Sequence, residues 1–505
     1  MFTRSDLTQR SGPHPRRVPA YPEPLTAASL QALFADCGDF QSRRILLGLD
    51  EEKGVTVCWL DGLVSGALVA EDILRPLTSA PRQSRADSPA EALSRVLSGA
   101  VYSHAAQLRD TLDEVVDDLG RGCCALLFDG AKQAVCFEVR GENVRAVSEP
   151  TLEKSLKGAK DAFVETLRTN TALVRRRLVT PSLKLEERLV GRRSHTRVAL
   201  LYLEGVANAE TVAELRRRLD ALDIDALIAT GILEEALIDA PHSPFPQLLH
   251  TERPDRFAQY LLDGRVGLLV DGLPIGLAAP VTFADFMRVT GDSCNHYLIA
   301  TALTLLRWLA LGLSMLLPAL YVAIALYHQE MIPTRLLLSV IEAKQDVPFS
   351  TALEILGMLI SFELLQEAGL HLPNPIGDTV SIIGALIVGQ SAVEARVVSP
   401  IAIIVVAFAG IAGYTLPSQD LGATVRLARL GLVLAAILGG LFGVGAGLCL
   451  LLLHLAKLDS LGLDYTAPLS DGQPLPLTRL LLRLPKRADK FRDPALRTPD
   501  RRRQA

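Results

Sequence analysis

Hydrophobic and polar residues are distributed unevenly along the chain. Before about residue 297, short apolar runs alternate with charged stretches, whereas residues 298–457 are mostly apolar. Apolar runs of roughly four to eight residues that end in turn residues are typical of buried strands, and runs of about 18 or more are typical of membrane helices. The pattern therefore predicts an α/β soluble region followed by an α-helical polytopic membrane domain.

The soluble region is predicted to be duplicated. Four of its apolar runs end in an acidic residue followed by glycine, which supplies the positive φ of a tight turn: Asp61, Asp129, Glu204 and Asp271. The first two acids are 68 residues apart and the last two are 67 residues apart. This repeated spacing predicts two tandem duplicated α/β subdomains, residues 28–150 and 151–290.

The same strand-end acids are the candidates for an active site. Asp-Gly pairs are typical of turns. The sequence contains no phosphate-binding loop, no dinucleotide-binding glycine motif and no HExxH motif. We therefore predict no catalytic residue, no metal site and no cofactor. A membrane-anchored enzyme is kept as an alternative, and it would require Asp61 and Asp271 to be essential for activity.

Charge and cysteine content indicate which partners and which cellular compartment to expect. The net charge is −4, and the basic stretch from Arg168 to Arg197 has no interleaved aromatic residues, so nucleic acid is not an expected partner. We interpret that stretch as a solvated face or a subunit contact, with lipid headgroups as the alternative. Seven cysteines without CxxC spacing indicate a reducing compartment. Residues 1–27 are predicted to be a disordered cytosolic tail.

The predicted membrane domain, residues 291–460, contains five apolar segments: 298–327, 351–370, 376–393, 397–417 and 428–457. The tail, residues 461–505, is basic and therefore predicted to be cytosolic. The N-terminal region lacks an export signal and is predicted to lie on the same side. An even number of crossings follows, so we predict about four spans, with the acidic segment 351–370 interfacial or re-entrant.

Two of these apolar segments, 298–327 and 351–370, contain the four candidates for membrane-embedded charges. They are Arg307, Glu354, Glu363 and Glu367. Because a charge in the bilayer core is costly, such residues are expected to pair, to face water or to reach the headgroups. For Arg307 all three outcomes are open. Glu363 and Glu367 are four residues apart and share one helix face, whereas Glu354 points the opposite way.

One face of segment 376–393 consists of small residues. Ser381, Gly384, Ala385, Val388 and Ala392 are candidates for a pore wall. A narrow channel needs small, weakly polar groups and an apolar constriction, which would make Ser381 a polar ring and Val388 a gate. Tight helix packing is the alternative for the same face.

Glycines at four-residue spacing mark the last apolar segment. Gly439, Gly443 and Gly447 form a doubled GxxxG pattern. Because small residues let helix backbones approach closely, this pattern predicts a helix-packing face.

Several longer stretches resemble one protein family. In the soluble region they are ETLRTNTALVRRRL, VGRRSHTRVALLYLEGVAN and SPFPQ; in the membrane region they are ALYHQEMIPTRLLLSV, FELLQEAGLHLPNPIGDTVSIIGALIVGQSAVEARVVSP and LLLLHLAKLDSLGLDYTAP. Their order is similar to that in the GerA family of spore germinant receptor A subunits, and the resemblance covers about residues 45–470. The chain departs from the residues usual in the family at Gln366, His371, Ser391 and Arg396.

The resemblance implies the inner spore membrane of an endospore-forming bacterium, and the charge pattern predicts that both termini are cytoplasmic. It implies a homo-oligomeric ring of A subunits in membrane lipid, together with a transporter-like B subunit and a lipoprotein C subunit. Such a ring would be a ligand-gated channel that releases monovalent cations at the start of germination. The family also includes a paralogous spore membrane protein of the SpoVA operon. An accessory protein that amplifies germination without sensing the nutrient is therefore the alternative.

Overall fold

The computed structural model of the chain describes residues 21–46, 54–79, 89–101, 106–141, 150, 153, 157–371, 389–467 and 481–503. It divides into two compact units. Unit 1 comprises residues 1–238, 248–280 and 489–505, and unit 2 comprises residues 239–247 and 281–488. The chain therefore passes from one unit to the other at four points. The domain boundaries drawn from the sequence stay predictions.

Unit 1 contains two five-stranded antiparallel sheets. The strands of the first are Phe40–Leu46 (β1), Gly54–Leu60 (β2), Ala106–Arg109 (β3), Cys123–Phe128 (β4) and Ala134–Glu138 (β5). Those of the second are Leu183–Val190 (β6), Thr196–Leu203 (β7), Leu249–Thr251 (β8), Val266–Val270 (β9) and Gly276–Ala279 (β10). The strand orders are β1-β2-β4-β5-β3 and β6-β7-β9-β10-β8. The two orders are the same, which confirms the predicted duplication.

The predicted strand-end turns are present. Asp61, Asp129, Glu204 and Asp271 follow the last residues of β2, β4, β7 and β9. The glycine after each acid has a φ between 78° and 88°. A residue with a Cβ would be strained at that φ, so the glycine of each turn is required by the backbone.

Helices pack on both faces of the first sheet. The described α-helices of unit 1 are Ala27–Leu33 (α1), Gly66–Leu68 (α2), Arg75–Ser79 (α3), Pro89–Arg95 (α4), Leu112–Gly120 (α5), Leu167–Arg177 (α6), Ala209–Asp220 (α7), Thr230–Leu237 (α8) and Pro254–Asp263 (α9). Two π-helical segments, Val69–Leu74 and Val96–Ala100, follow α2 and α4. Leu30 and Val116 cover one face, and Ile73 and Leu93 cover the other. Every residue of β4 is consequently buried, which explains why it is a continuous apolar run.

The end of the predicted N-terminal tail contacts the same core. Tyr21 and Leu25 pack against the cluster that contains Leu30. The Tyr21 amide also donates to an Asp113 carboxylate oxygen at 3.1 Å. Residues 1–20 of the predicted tail lie outside the described residues.

Unit 2 is mainly helical. Its helices are Tyr297–Tyr327 (α10), Thr334–Lys344 (α11), Thr351–His371 (α12), Pro400–Tyr414 (α13) and Gln419–Ala456 (α14). They share one apolar core, to which α10, α12, α13 and α14 contribute Ala323, Ile355, Ala402 and Val433. A two-residue strand pair, Asp459–Ser460 (β11) and Leu463–Asp464 (β12), follows α14.

Two helices have the length and composition of membrane spans. Among the described residues these are α10, with mean hydropathy 2.2 over its most apolar stretch, and α14, with 2.3; α13 is apolar but shorter. Large apolar side chains on these helices are exposed, including Leu309, Phe408 and Phe442. Such exposure is expected where a helix faces lipid or another copy of the chain. The number of spans stays a prediction.

Helix α14 folds back on itself. Gly439 (φ −140°, ψ 16°) and Gly440 (φ 56°, ψ −140°) leave the helical conformation. A Cβ on Gly447 would lie 3.0 Å from the Leu432 side chain, whereas residues that far apart in a straight helix are separated by about 22 Å. The helix is therefore a hairpin of a first arm, residues 419–438, and a second arm, residues 441–456. These arms are about 30 Å and about 24 Å long.

Candidate functional site

Three of the four predicted membrane charges, Arg307, Glu354 and Glu363, have charged partners within the helical unit. Arg307 of α10 donates to both carboxylate oxygens of Asp292, at 2.6 and 2.8 Å. Asp292 belongs to the short 3-10 helix Thr290–Cys294 that precedes α10. Arg307 thus pairs with a carboxylate, which is one of the three outcomes that the sequence left open.

Glu354 is the most enclosed of these charges. Its side chain is 0% exposed, and Lys344 Nζ lies 3.3 Å from its Oε1 atom. Its Oε2 atom accepts hydrogen bonds from the Ser399 amide at 3.0 Å and the Ser399 hydroxyl at 2.7 Å. Ser399 also caps the start of α13. One buried carboxylate thus connects α11, α12 and the beginning of α13.

A second charged cluster joins α12 and the first arm of α14. Glu363 Oε1 lies 2.8 Å from Arg426 Nε, and Glu363 Oε2 lies 3.8 Å from Arg429. Arg429 is almost completely buried. Glu367, predicted to share the face of Glu363, is exposed.

The predicted pore wall is largely outside the described residues. This applies to Ser381, Gly384, Ala385 and Val388. Ala392 is described; it is half-buried and packs against the shared apolar core of unit 2. The pore assignment therefore stays a prediction.

The glycine pattern has two roles rather than one. Gly443 and Gly447 lie where the two arms of α14 meet, since a Cβ on Gly443 would collide with the Ala435 carbonyl. Gly439, predicted on the same packing face, instead lies in the turn. The Tyr327 hydroxyl donates to the Ile437 carbonyl at 2.6 Å, which satisfies an acceptor beside the break. The sequence interpretation assumed a straight helix, but the consecutive Gly439-Gly440 pair breaks it.

The turn of α14 should be sensitive to a side chain at Gly440. Gly440→Ala places a Cβ at a positive φ and 3.1 Å from the Tyr327 ring. We expect the free energy of unfolding to fall by about 1–3 kcal/mol. The melting temperature of the detergent-solubilised chain should therefore fall by roughly 3–10 °C. Gly445→Ala is the matched control, because a Cβ there meets nothing within 4 Å. Equal melting temperatures for the two variants would contradict the hairpin.

Residues 239–247 belong to the helical unit through an aromatic cluster. The Phe245 ring lies 6.5 Å from Phe283 and 6.5 Å from Tyr465. The Tyr465 hydroxyl donates to the Pro246 carbonyl at 2.8 Å. Ser243 Oγ and His454 Nε2, at the end of the second arm of α14, are 2.8 Å apart. The SPFPQ stretch thus packs on the end of a membrane-type helix, which its sequence did not indicate.

The basic stretch of unit 1 is not simply a solvated face. Arg175 and Asp39 are 1% and 2% exposed and form two hydrogen bonds at 2.7 and 2.9 Å. Arg175 also donates to the Leu183 carbonyl at 2.9 Å. Burial alone would lower the pKa of Arg175, but the Asp39 carboxylate outweighs it and the pKa is raised. Asp39 and Arg175 belong to different predicted subdomains, so this pair joins the duplicated halves.

Other arginines of that stretch also pair with carboxylates. Arg168 contacts Asp61 at 3.1 Å and Glu187 at 2.9 Å. Arg193 contacts Asp225 at 3.0 Å on the surface. The prediction of a solvated face is therefore wrong for Arg175, whose partner lies 136 residues away and could not be read from local sequence.

The strand-end acids do not converge on one site. Asp129 pairs with Arg44 at 2.8 Å, and Asp271 accepts a hydrogen bond from the Leu167 amide at 3.0 Å. Asp61 pairs with Arg168, as described, and Glu204 lies 3.3 Å from Lys184. Each acid therefore has its own partner, although those of Asp61 and Asp271 are adjacent residues at the start of α6.

No described group of residues has the chemistry of a metal or thiol site. Among the described residues, no set of three or more histidine, cysteine or acidic side chains is placed to hold a metal ion. All seven cysteines are free thiols. Burial raises the pKa of Cys58 and of Cys123 to about 12, so both stay protonated and unreactive near neutral pH.

Comparison with known proteins identifies relatives along almost the whole chain. The chain is 36% identical to the uncharacterized membrane protein YfkQ of Bacillus subtilis over 444 residues, which is 88% of this chain and 85% of the relative. It is 33% identical to spore germination protein KA of Bacillus subtilis, covering 92% and 84% of the two chains. It is 34% identical to spore germination protein GerLA of Bacillus cereus, covering 88% and 89%.

A solved structure and a family description complete the comparison. The N-terminal domain of the A subunit of the Bacillus megaterium spore germinant receptor GerK3 aligns with 51% of this chain and 93% of its own, at 29% identity and a TM-score of 0.40. The family described as Bacillus/Clostridium GerA spore germination protein matches residues 28–495. With a family match over nearly its whole length and relatives above 30% identity, the chain belongs to the GerA family of spore germination proteins.

Proposed function

We propose that this chain is the A-type subunit of a nutrient germinant receptor in the inner spore membrane. The observation that carries the proposal is the match, over more than four-fifths of both chains, to proteins named for spore germination. The helices α10 and α14 supply the membrane part. A transporter-like B subunit and a lipoprotein C subunit are the proposed partners, and both termini are proposed to be cytoplasmic.

The mechanism that we propose is a homo-oligomeric ring that conducts monovalent cations. The small-residue face with Ser381 and Val388 would line the path. The exposed apolar side chains of unit 2 would face lipid and neighbouring copies. The four chain crossings between the units, together with the packing of residues 239–247 on the end of α14, give a covalent route by which a change in unit 1 reaches the helices.

Conductance through the purified full-length chain in planar bilayers tests the channel. We expect Val388→Phe and Ser381→Leu each to change the monovalent cation current by about tenfold, because a narrow constriction responds steeply to side-chain size. Ile404→Phe is the matched control, since Ile404 is exposed on α13 and should leave the current unchanged. An unchanged current across both pore variants, or a monomeric purified protein, would remove the proposal.

An accessory role is the second candidate. It is favoured by the relative with 36% identity, which is named only as a membrane protein. In that case the same substitutions would alter assembly with other germination proteins and leave no current to change. Spores that lack this chain would then respond to nutrients with normal specificity but germinate slowly.

A further inference from the structure

Arg429 is a buried cation without adequate compensation. Its side chain is 3% exposed, and its Nε atom has no hydrogen-bond partner among the described residues. In the part of the chain that the structure describes, the nearest carboxylate oxygen to Arg429 belongs to Glu363, and at 3.8 Å it is beyond hydrogen-bond distance. A guanidinium carries five N–H donors, and leaving it buried and unpaired costs several kcal/mol. A partner group is therefore required at this position.

The neighbouring charges do not supply that partner. Within the described ranges, the charged groups that act on Arg429 are Glu363 and Arg426. Glu363 lies closer to Arg426, at 2.8 Å, so its negative charge is already shared. Two guanidinium groups and one carboxylate leave the cluster with a net charge of +1. The cluster of Arg426, Arg429 and Glu363 is called here the arginine pocket, and its net positive charge favours an anion.

We propose that the arginine pocket binds the phosphate group of an anionic phospholipid. The planar fork of arginine matches the oxygens of a phosphate through two parallel hydrogen bonds. Basic pockets between membrane helices are suited to anionic headgroups. This site is independent of the ion path and of the nutrient, and it requires only that unit 2 lies in a membrane.

The surroundings of the arginine pocket favour a lipid over a free anion. Exposed apolar side chains lie near these residues in the sequence of both helices: Ile360 and Leu364 on α12 are 52% and 67% exposed, and Leu427 on α14 is 59% exposed. A free phosphate would leave these side chains uncovered. The acyl chains of a phospholipid would cover them while its phosphate neutralises the arginines.

Thermal melting of the full-length chain in neutral detergent tests the proposal. Added phosphatidylglycerol should raise the melting temperature of the natural chain by about 5 °C more than phosphatidylcholine does. Arg429→Met should abolish that difference. It should also melt no lower than the natural chain in neutral detergent alone, because it removes an unpaired buried charge. Native mass spectrometry should show about tenfold fewer phosphatidylglycerol adducts on the variant.

Two further variants separate the explanations. Arg396→Met is the matched control, since Arg396 is 67% exposed and pairs with Asp346, and it should keep the phosphatidylglycerol response. Arg429→Lys keeps the charge without the fork and should retain the fold but weaken the lipid preference about tenfold.

Three results would overturn the assignment. Equal responses of the natural chain to the two lipids would exclude a charged headgroup. An equal rise with inorganic phosphate alone would assign the pocket to a free anion. A severe loss of stability in Arg429→Met, with the lipid response retained in Arg429→Lys at full strength, would make Arg429 a structural partner of Glu363.

Discussion

Replacing Arg175 by alanine is expected to lower the free energy of unfolding of unit 1 by about 3–5 kcal/mol. The substitution leaves the buried Asp39 carboxylate without its two hydrogen bonds from Arg175 and removes one of the donors to the Leu183 carbonyl. A buried charge that loses its partner carries its full desolvation cost, which is far larger than the loss of a surface pair. Pulse proteolysis with thermolysin in increasing urea measures the change on the full chain.

The matched control is an arginine of the same basic stretch. Arg193 pairs with Asp225, but their side chains are 83% and 69% exposed. Arg193→Ala should therefore change the unfolding free energy by less than about 1 kcal/mol. The double variant Asp39→Leu/Arg175→Leu should recover much of the stability, because it removes both charges. Comparable losses for Arg175→Ala and Arg193→Ala would contradict the buried pair.

Replacing Glu354 by alanine is expected to destabilise the helical unit more than any other single substitution considered, lowering its free energy of unfolding by about 3–5 kcal/mol. Ser399 would lose the acceptor for its amide and its hydroxyl, and Lys344 would lose its carboxylate. We expect the melting temperature of the detergent-solubilised chain to fall by about 10 °C or more.

Conservative variants distinguish charge from hydrogen bonding at this position. Glu354→Gln keeps one oxygen for Ser399 but leaves the charge of Lys344 unpaired. Its unfolding free energy should therefore fall by roughly half as much as that of Glu354→Ala. Lys344→Met combined with Glu354→Gln should recover part of that loss. Glu342→Gln, on the exposed surface of α11, is the control and should have no measurable effect. A harmless Glu354→Ala would mean that the three helices are held by their apolar core alone.

Local sequence was sufficient for the strands and their turns. The positions of β2, β4, β7 and β9 follow from apolar runs closed by an acid and a glycine, because burial on both faces leaves no alternation of polar residues. The repeated spacing between these turns predicted the duplication. Positive φ at each glycine is a property of a few consecutive residues, so it can be read without knowing the rest of the fold.

Local sequence misled where a contact depends on distant residues. Arg175 belongs to a run of arginines that is typical of a solvated surface, and only the approach of Asp39 buries it. Gly439 fits a helix-packing pattern, but the pair Gly439-Gly440 forms a turn that the Tyr327 side chain of another helix supports. A prediction from residue periodicity treats the helix as straight, so it cannot locate a break within that helix.

The four strands that end in an acid and a glycine, the duplication, the apolar segments and the family were contained in the one-dimensional pattern of residues. Which charges meet was not: Glu354 with Ser399 and Lys344, Arg307 with Asp292, and Arg429 with too little negative charge. The physical reason is how far apart in the sequence the interacting residues lie. Apolar periodicity and turn chemistry act between neighbours along the chain, whereas the cost of a buried charge is set by whichever groups the completed fold brings within a few ångströms of it.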